Sequence, residues 1–382
     1  MIHALLLGAM AFLPVHGRYP IGRTKFDWVD TGRNEPSAAG HKRELVVYVW
    51  YPAEARADCT PAPYLPDAAL MSDALPKEVA STVASAKTGA CLDAPLSRAE
   101  KRYPVIIFSP GDEFKTLGYS ALQEDLASRG YVVAAIDVPY NAPVVELSGG
   151  RITRPPAEEP PPQNLSPEAL KQYGYDQTMA QLQLWAEDIA FVAHGMEALD
   201  RDDPRFRGRI DTKATASLGH SAGGLASFHA CQIDPALRAC ADIDGRYRAR
   251  PYPISSGAES PSQPFLWIHT PQPVFTDQQL EQRKMSRKDY DAELALGKAI
   301  MAGVGSGSYD VTFTQPGVDH LDFTDFRMFE SGIAAETLAS RRQTLEQTRS
   351  VLAAFFDETL RGKKTPVAAA PGVAVVHYRG SR

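Results

Sequence analysis

The chain of 382 residues carries little that would suit it to nucleic acid or to life inside a membrane. Its 40 Lys and Arg stand against 46 Asp and Glu, a net charge of −6, so there is no basic field to hold a phosphate backbone. Nucleic acid is excluded as an expected partner. Past the opening stretch Ala4-Leu-Leu-Leu-Gly-Ala-Met-Ala-Phe-Leu-Pro-Val15, no run is long and apolar enough to span a bilayer as a helix. That stretch is itself too short to span. It has the length of a signal-peptide apolar core, although no Lys or Arg precedes it, and residues 1–16 are expected to be a signal segment or its remnant. Cysteine is scarce, with 4 in the chain, and none has metal-ligand spacing. They fall into two sequence-near pairs, Cys59 with Cys91 and Cys231 with Cys240, an even count that suits an oxidising compartment, secreted or periplasmic. There is no internal repeat, which excludes a solenoid or propeller.

What is present is an alternation of strand-like and helix-like segments, the pattern of a mostly parallel sheet covered on both faces. Glu44–Tyr51, Tyr103–Ser109, Tyr131–Asp137, Ala214–Leu218, Ala239–Ile243, Phe265–His269 and Tyr309–Thr314 read as strands. Tyr119–Arg129, Asp176–Leu199 and Gln343–Leu360 have apolar residues at helical spacing. Two stretches are expected to be insertions around this core. Residues 53–100 lack a strand pattern and contain an Ala/Ser-rich run, Leu75 to Gly89, that reads as a surface helix. Residues 273–305 read as mostly helical. Gly149 to Ser166, with Glu159-Pro-Pro-Pro162, suits an exposed excursion because proline lacks the donor that helix and sheet interiors require. The expected organisation is one α/β catalytic domain over residues 17–362, followed by a partly disordered tail, 363–382.

The segment richest in chemistry is Gly219-His-Ser-Ala-Gly223, a G-x-S-x-G pentapeptide entered from a buried strand and left through a helix. In a nucleophile elbow the serine takes a strained conformation between strand and helix, so the residues two before and two after must be small. Gly219 and Gly223 meet that need. Serine is a weak nucleophile at neutral pH, so an imidazole must accept its proton and a carboxylate must fix and offset that imidazole. On such a scaffold the order is serine, acid, histidine. His320, in Pro316-Gly-Val-Asp-His-Leu-Asp-Phe323 after the last core strand, is the expected base; His269 ends a strand and is expected to make a core or rim contact. Asp244 lies at the exit of Ala241-Asp-Ile-Asp-Gly245 and is the expected acid, with Asp242 one pleat deeper as the alternative. Asp319 and Asp322 are expected to serve the loop around His320.

These segments resemble the plasma-type (group VII) platelet-activating factor acetylhydrolase family and its bacterial esterase relatives. The resemblance runs in order through Trp50-Tyr-Pro52, Tyr103-Pro-Val-Ile-Ile-Phe-Ser-Pro-Gly111, Tyr119 to Asp137, Gly219-His-Ser-Ala-Gly-Gly224, Asp242-Ile-Asp-Gly245 and Gly317 to Phe326. It implies an α/β-hydrolase fold, Ser221 as nucleophile, Asp244 as acid, His320 as base, no metal and no organic cofactor. The chain departs from the family where Ser-His-Gly and an apolar residue are usual: here stands Ser109-Pro-Gly-Asp-Glu113. Main-chain N–H groups of Asp112 and Ala222 can still form the oxyanion hole. Asp112 is expected either to face the substrate entrance, with Glu113, or to make a salt bridge to a nearby Arg or Lys. The expected activity is hydrolysis of small or lipid carboxylic esters with short acyl groups through an acyl-serine. A polyester or aromatic-ester hydrolase is the alternative within the class. Outside it stands a binding protein that keeps the fold without turnover.

Overall fold

The computed structural model describes residues 13–71, 82–157, 160–246, 260–271, 274–283, 285–330 and 332–379. The expected signal stretch lies outside them up to residue 12, as do residues 75–81 of the helix expected at 75–89; of the rest, 82–85 form a helical turn and 87–89 are strand instead. In chain order the strands are β1 (Ile21–Asn34), β2 (Lys42–Pro52), β3 (Pro61–Pro63), β4 (Lys87–Leu92), β5 (Tyr103–Ser109), β6 (Val132–Asp137), β7 (Val145–Glu146), β8 (Ile152–Thr153), β9 (Ile210–His220), β10 (Ala239–Ile243), β11 (Phe265–His269), β12 (Ser308–Phe313) and β13 (Val373–Tyr378). The α-helices are α1 (Ser120–Ser128), α2 (Pro167–Asp202), α3 (Ala222–Ile233), α4 (Asp277–Gln282), α5 (Arg287–Gly303) and α6 (Ala335–Arg361).

Apart from the small β7/β8 ribbon, the strands form an 11-stranded sheet in the order β13-β12-β11-β10-β9-β5-β6-β2-β1-β4-β3. Strands β6, β5, β9, β10, β11 and β12 run parallel. Their sequences are nearly continuous apolar runs because both faces are covered: every residue of β5 and β6 is buried. The pleat divides them between two cores. Val46, Tyr48, Trp50, Ile106, Phe108 and Val133 face α1 and α6, whereas Val47, Val49, Val105, Ile107 and Val132 face α2, α3 and α5. Each large apolar side chain so buried contributes on the order of 1.5–3 kcal/mol, so this alternation holds register across the sheet.

The long helices have legible ends. Ser166 caps α2 by accepting from the Ala169 N–H at 3.2 Å, with Pro167 in the first turn. Gly362 ends α6 in the left-handed conformation, φ 65°. A buried ion network then ties α2 to the antiparallel edge. Arg43 on β2 donates to Glu35 and Asp188 at 2.6 Å each, while Arg33 reaches Asp188 at 2.9 Å.

Three segments differ from the expectation. Strand β1 was not anticipated; it alternates buried and exposed residues at its far end and finds its place by pairing antiparallel with β2. The region 53–100 supplies β3 and β4, with β4 joining β1 in parallel. The tail supplies β13, antiparallel to β12. All three lie toward the sheet's borders, where backbone pairing to a neighbour decides the conformation. The disulfides are Cys59–Cys91, fastening the chain beyond β2 to β4, and Cys231–Cys240, joining α3 to β10.

Candidate active site

The elbow sits at the middle of the sheet, between β9 and α3. Ser221 has φ 56° and ψ −123°, a region costly for a residue with a Cβ. Its N–H donates to the Ile243 carbonyl at 2.8 Å, which ties the strained turn to β10. A Cβ on Gly219 would strike the Gly223 backbone, and one on Gly223 would strike the carbonyls of Ser109 and Pro110. Both glycines therefore permit a close approach of main chain to main chain.

Strands β9, β10 and β12 run parallel through β11, so the loops leaving their C-terminal ends open on the same edge of the sheet. These loops bring Ser221, Asp244 and His320 together. His320 Nε2 lies 2.9 Å from Ser221 Oγ, and His320 Nδ1 lies 2.7 Å from Asp244 Oδ2. The other carboxylate oxygen of Asp244 accepts from the Thr270 N–H at 2.8 Å and the Thr270 hydroxyl at 3.0 Å. Burial by itself would raise the Asp244 carboxyl. The hydrogen bonds from His320 and the Thr270 N–H outweigh it, and hold the group below its ordinary value. Asp244 is thus a carboxylate whose charge is matched on both oxygens.

The remaining sequence candidates fall around this line. Asp242 is fully buried; its Oδ1 accepts from the Gly245 N–H at 2.8 Å, and its carboxylate lies against Gly224 and Gly245. His269 pairs with Asp310 at 2.8 Å, away from Ser221. Asp319 caps the short turn that begins at His320 and pairs with Arg327; Asp322 accepts from the Asp319 N–H at 3.0 Å and faces Arg341 at 3.1 Å. Ala222 opens α3 immediately after the serine, where helix N–H groups have no intrahelical acceptor.

The loop after β5 passes close by: a Cβ on Gly111 would come within 3.5 Å of the Ser221 Cβ. In that loop the Gly111 N–H donates to the Tyr119 hydroxyl, the Glu113 N–H to Asn141 Oδ1 and the Phe114 N–H to the Gly111 carbonyl. The salt bridge considered for Asp112 is not formed among the described residues. Asp112 Oδ1 instead accepts from the amides of Asn141 at 2.7 Å and Gln181 at 2.8 Å. Neutral donors hold this exposed carboxylate in place.

A cleft of about 410 Å³ borders the histidine, lined by Arg246, Thr270, Pro271, Val318, Asp319, His320 and Leu321. Among the described residues, no group of three or more His, Cys, Asp or Glu side chains is disposed to hold a metal ion. No helix there is long and apolar enough to cross a membrane.

The structure of a ferulic acid esterase from Streptomyces cinnamoneus superposes with a TM-score of 0.68 and 25% identity, over 95% of this chain and 98% of that one. The family model for platelet-activating factor acetylhydrolase, isoform II, matches residues 10–142. The chain is an α/β-hydrolase related to platelet-activating factor acetylhydrolase and to bacterial esterase. Platelet-activating factor acetylhydrolase of Cavia porcellus is 30% identical to this α/β-hydrolase over 177 residues, 42% of this chain and 38% of that protein. The protein of Arthroderma benhamiae named "Probable 1-alkyl-2-acetylglycerophosphocholine esterase" is 25% identical over 169 residues, 43% of this chain and 36% of its own length. The matches therefore span little more than a third of these curated relatives. Ser221, Asp244 and His320 all lie beyond the residues the family model matches.

Sequence reasoning overlooked two residues at the heart of the α/β-hydrolase site. His220, inside the pentapeptide, and Tyr119 are both fully buried and hydrogen-bonded to each other at 2.8 Å. The only signal was a histidine directly before the elbow serine, where a side chain must point back into the protein.

Proposed function

We propose that the chain hydrolyses carboxylic esters through an acyl-serine intermediate. The observation that carries this is the continuous hydrogen-bonded line from Ser221 Oγ through His320 to Asp244, set on a strained elbow. Ser221 Oγ attacks the ester carbonyl as its proton passes to His320 Nε2. Asp244 keeps Nδ1 protonated and offsets the imidazolium. The negative oxygen of the tetrahedral intermediate takes hydrogen bonds from the N–H groups of Ala222 and Asp112, the latter in a run whose neighbouring donors are already engaged. The imidazolium gives its proton to the leaving alkoxide. Water, deprotonated by the same imidazole, then attacks the acyl-serine and releases the acid.

Short acyl esters are the first substrate class, in keeping with the acetylhydrolase relatives. A second reading, esters of an aromatic acid such as ferulic acid, is supported by the likeness to the ferulic acid esterase along nearly the whole chain. The pairing of all 4 cysteines supports an exported enzyme, while residues 13–16 of the expected signal stretch are held by Asp125 and Arg349 as part of the fold.

The test is labelling by a fluorophosphonate, followed by rates on p-nitrophenyl esters of increasing acyl length and on a feruloyl ester. Labelling and hydrolysis should both vanish in Ser221→Ala while the circular dichroism spectrum is unchanged. A wild-type chain that neither labels nor turns over would instead be a binding protein built on this fold.

A further inference from the structure

The geometry points to His220 and Tyr119 as positioning residues that lock the oxyanion loop and the histidine loop to the nucleophile elbow. This rests on the esterase reading above. Three hydrogen bonds form one line: the Gly111 N–H donates to the Tyr119 hydroxyl at 3.1 Å, that hydroxyl to His220 Nδ1 at 2.8 Å, and His220 Nε2–H to the His320 carbonyl at 2.9 Å. Their directions are forced. A carbonyl only accepts, so Nε2 carries the hydrogen; in a neutral ring Nδ1 is then an acceptor, and the Tyr119 hydroxyl donates to it while accepting from the Gly111 N–H. Of the two neutral tautomers, only Nε2–H satisfies every partner. The surroundings favour the neutral form: burial first, then the neighbouring His320, push the His220 imidazole down to about 3.

The line joins three segments distant in sequence, and each end lies beside a reacting group. At one end the Gly111 anchor precedes Asp112, whose N–H is a proposed oxyanion donor. At the other the main chain of His320 itself is held, while its ring is free to face Ser221 and Asp244. The His220 and His320 rings lie with centroids 4.5 Å apart, and Phe114 and Phe323 border His220. An apolar residue at 220 would fill the space yet leave the His320 carbonyl and the Tyr119 hydroxyl without these partners in a dry site. Misplacement of a base or an oxyanion donor weakens interactions made in the transition state, so the loss belongs in kcat rather than in KM.

The experiment compares Tyr119→Phe, His220→Gln and His220→Phe with wild type on p-nitrophenyl acetate, with thermal unfolding measured for each. Tyr119→Phe keeps the ring and its packing, and should lower kcat on the order of tenfold or more with KM changed less than about twofold. His220→Phe should lose more. His220→Gln, with one donor and one acceptor on its amide, should recover part of that loss. Imidazole ¹⁵N spectra should give His220 as the Nε2–H tautomer across about pH 5 to 8, and as a mixture in Tyr119→Phe. A folded Tyr119→Phe with wild-type kcat overturns the inference, as does an Nδ1–H tautomer in wild type, or losses in Gln and Phe that are equal and follow only the fraction folded. An active wild type with an unimpaired Tyr119→Phe sinks this inference alone. A wild type that turns over no ester and takes no fluorophosphonate removes the esterase reading and this inference with it.

Discussion

At the scale of single residues, Asp242 and Asp244 lie two positions apart on one strand exit yet do different work. Asp244 has one oxygen on His320 and the other on Thr270, so its charge is directed at the imidazole. Asp242 is pressed against two glycines and holds the turn that presents Asp244. Asp244→Asn should lower kcat by roughly 10³ to 10⁴, because the amide favours the wrong tautomer of His320, while the melting temperature changes little. Asp242→Asn should do the opposite, lowering the melting temperature more than kcat. Steady-state rates and thermal melts on both variants check this, and the reverse pattern would move the acid to Asp242. Of the two roles expected for Asp112, the salt bridge is not formed among the described residues, and neutral amides take its place. Its neighbours Asn141 and Gln181 arrive from segments far along the chain, and nothing local to Asp112 announces them.

At the scale of elements, the first turn of α1 rests on a carboxyl from the histidine loop. Asp325 accepts from the Ala121 N–H at 3.1 Å, while its own N–H donates to the Gly118 carbonyl at 2.7 Å, so the two segments hold each other. Asp325 is completely buried. Burial, with a smaller push from the charge of Glu124, raises its carboxyl from 3.8 to about 8, against the opposing Ala121 hydrogen bond and Arg349. A group raised in the folded state contributes stability that is complete below its unfolded value and lost as pH rises through its folded value. The contribution of Asp325 to the melting temperature should therefore decline from about pH 4 to about pH 8, opposed below about pH 6.5 by the depressed His220 imidazole. Asp325→Asn, which cannot ionise and keeps an acceptor oxygen, should flatten part of that decline. Glu124, pushed up to about 7 by the same kind of burial, supplies a further part that Asp325→Asn does not remove. Melting curves across this range decide it; an unchanged slope in Asp325→Asn would remove Asp325 from the account.

At the scale of the whole molecule, one disulfide fastens the border strands and the other ties a helix to a central strand. Cys59–Cys91 closes a separation of 32 residues around the border strands, and Cys231–Cys240 closes 9 between a helix and the next strand. On loop-closure grounds the wider link stabilises more, within ~2–4 kcal/mol for a typical bond. Cys59→Ser with Cys91→Ser should lower the melting temperature, and denatured protein from its native compartment should expose no free thiol before reduction. Four titratable thiols there would contradict export into an oxidising space.

The sequence by itself determined the parallel centre of the sheet, because strands covered on both faces are nearly continuous apolar runs, as β5, β6 and β11 are up to their last residue. It also pointed to the elbow, since only small residues flanking a serine permit that turn, and to Asp244 and His320 through a strand exit and a loop after the last core strand, with Asp242 as the alternative acid. Tertiary structure alone decided the borders and the contacts behind the site. Strands β1, β4 and β13 carry mixed, half-exposed residues, and their conformation comes from the neighbour they pair with. The partnership of Gly111, Tyr119, His220 and His320 joins four positions that no local period relates. Each has an ordinary sequence environment, and their hydrogen bonds exist only because the parallel strands deliver three loops to one edge of the sheet.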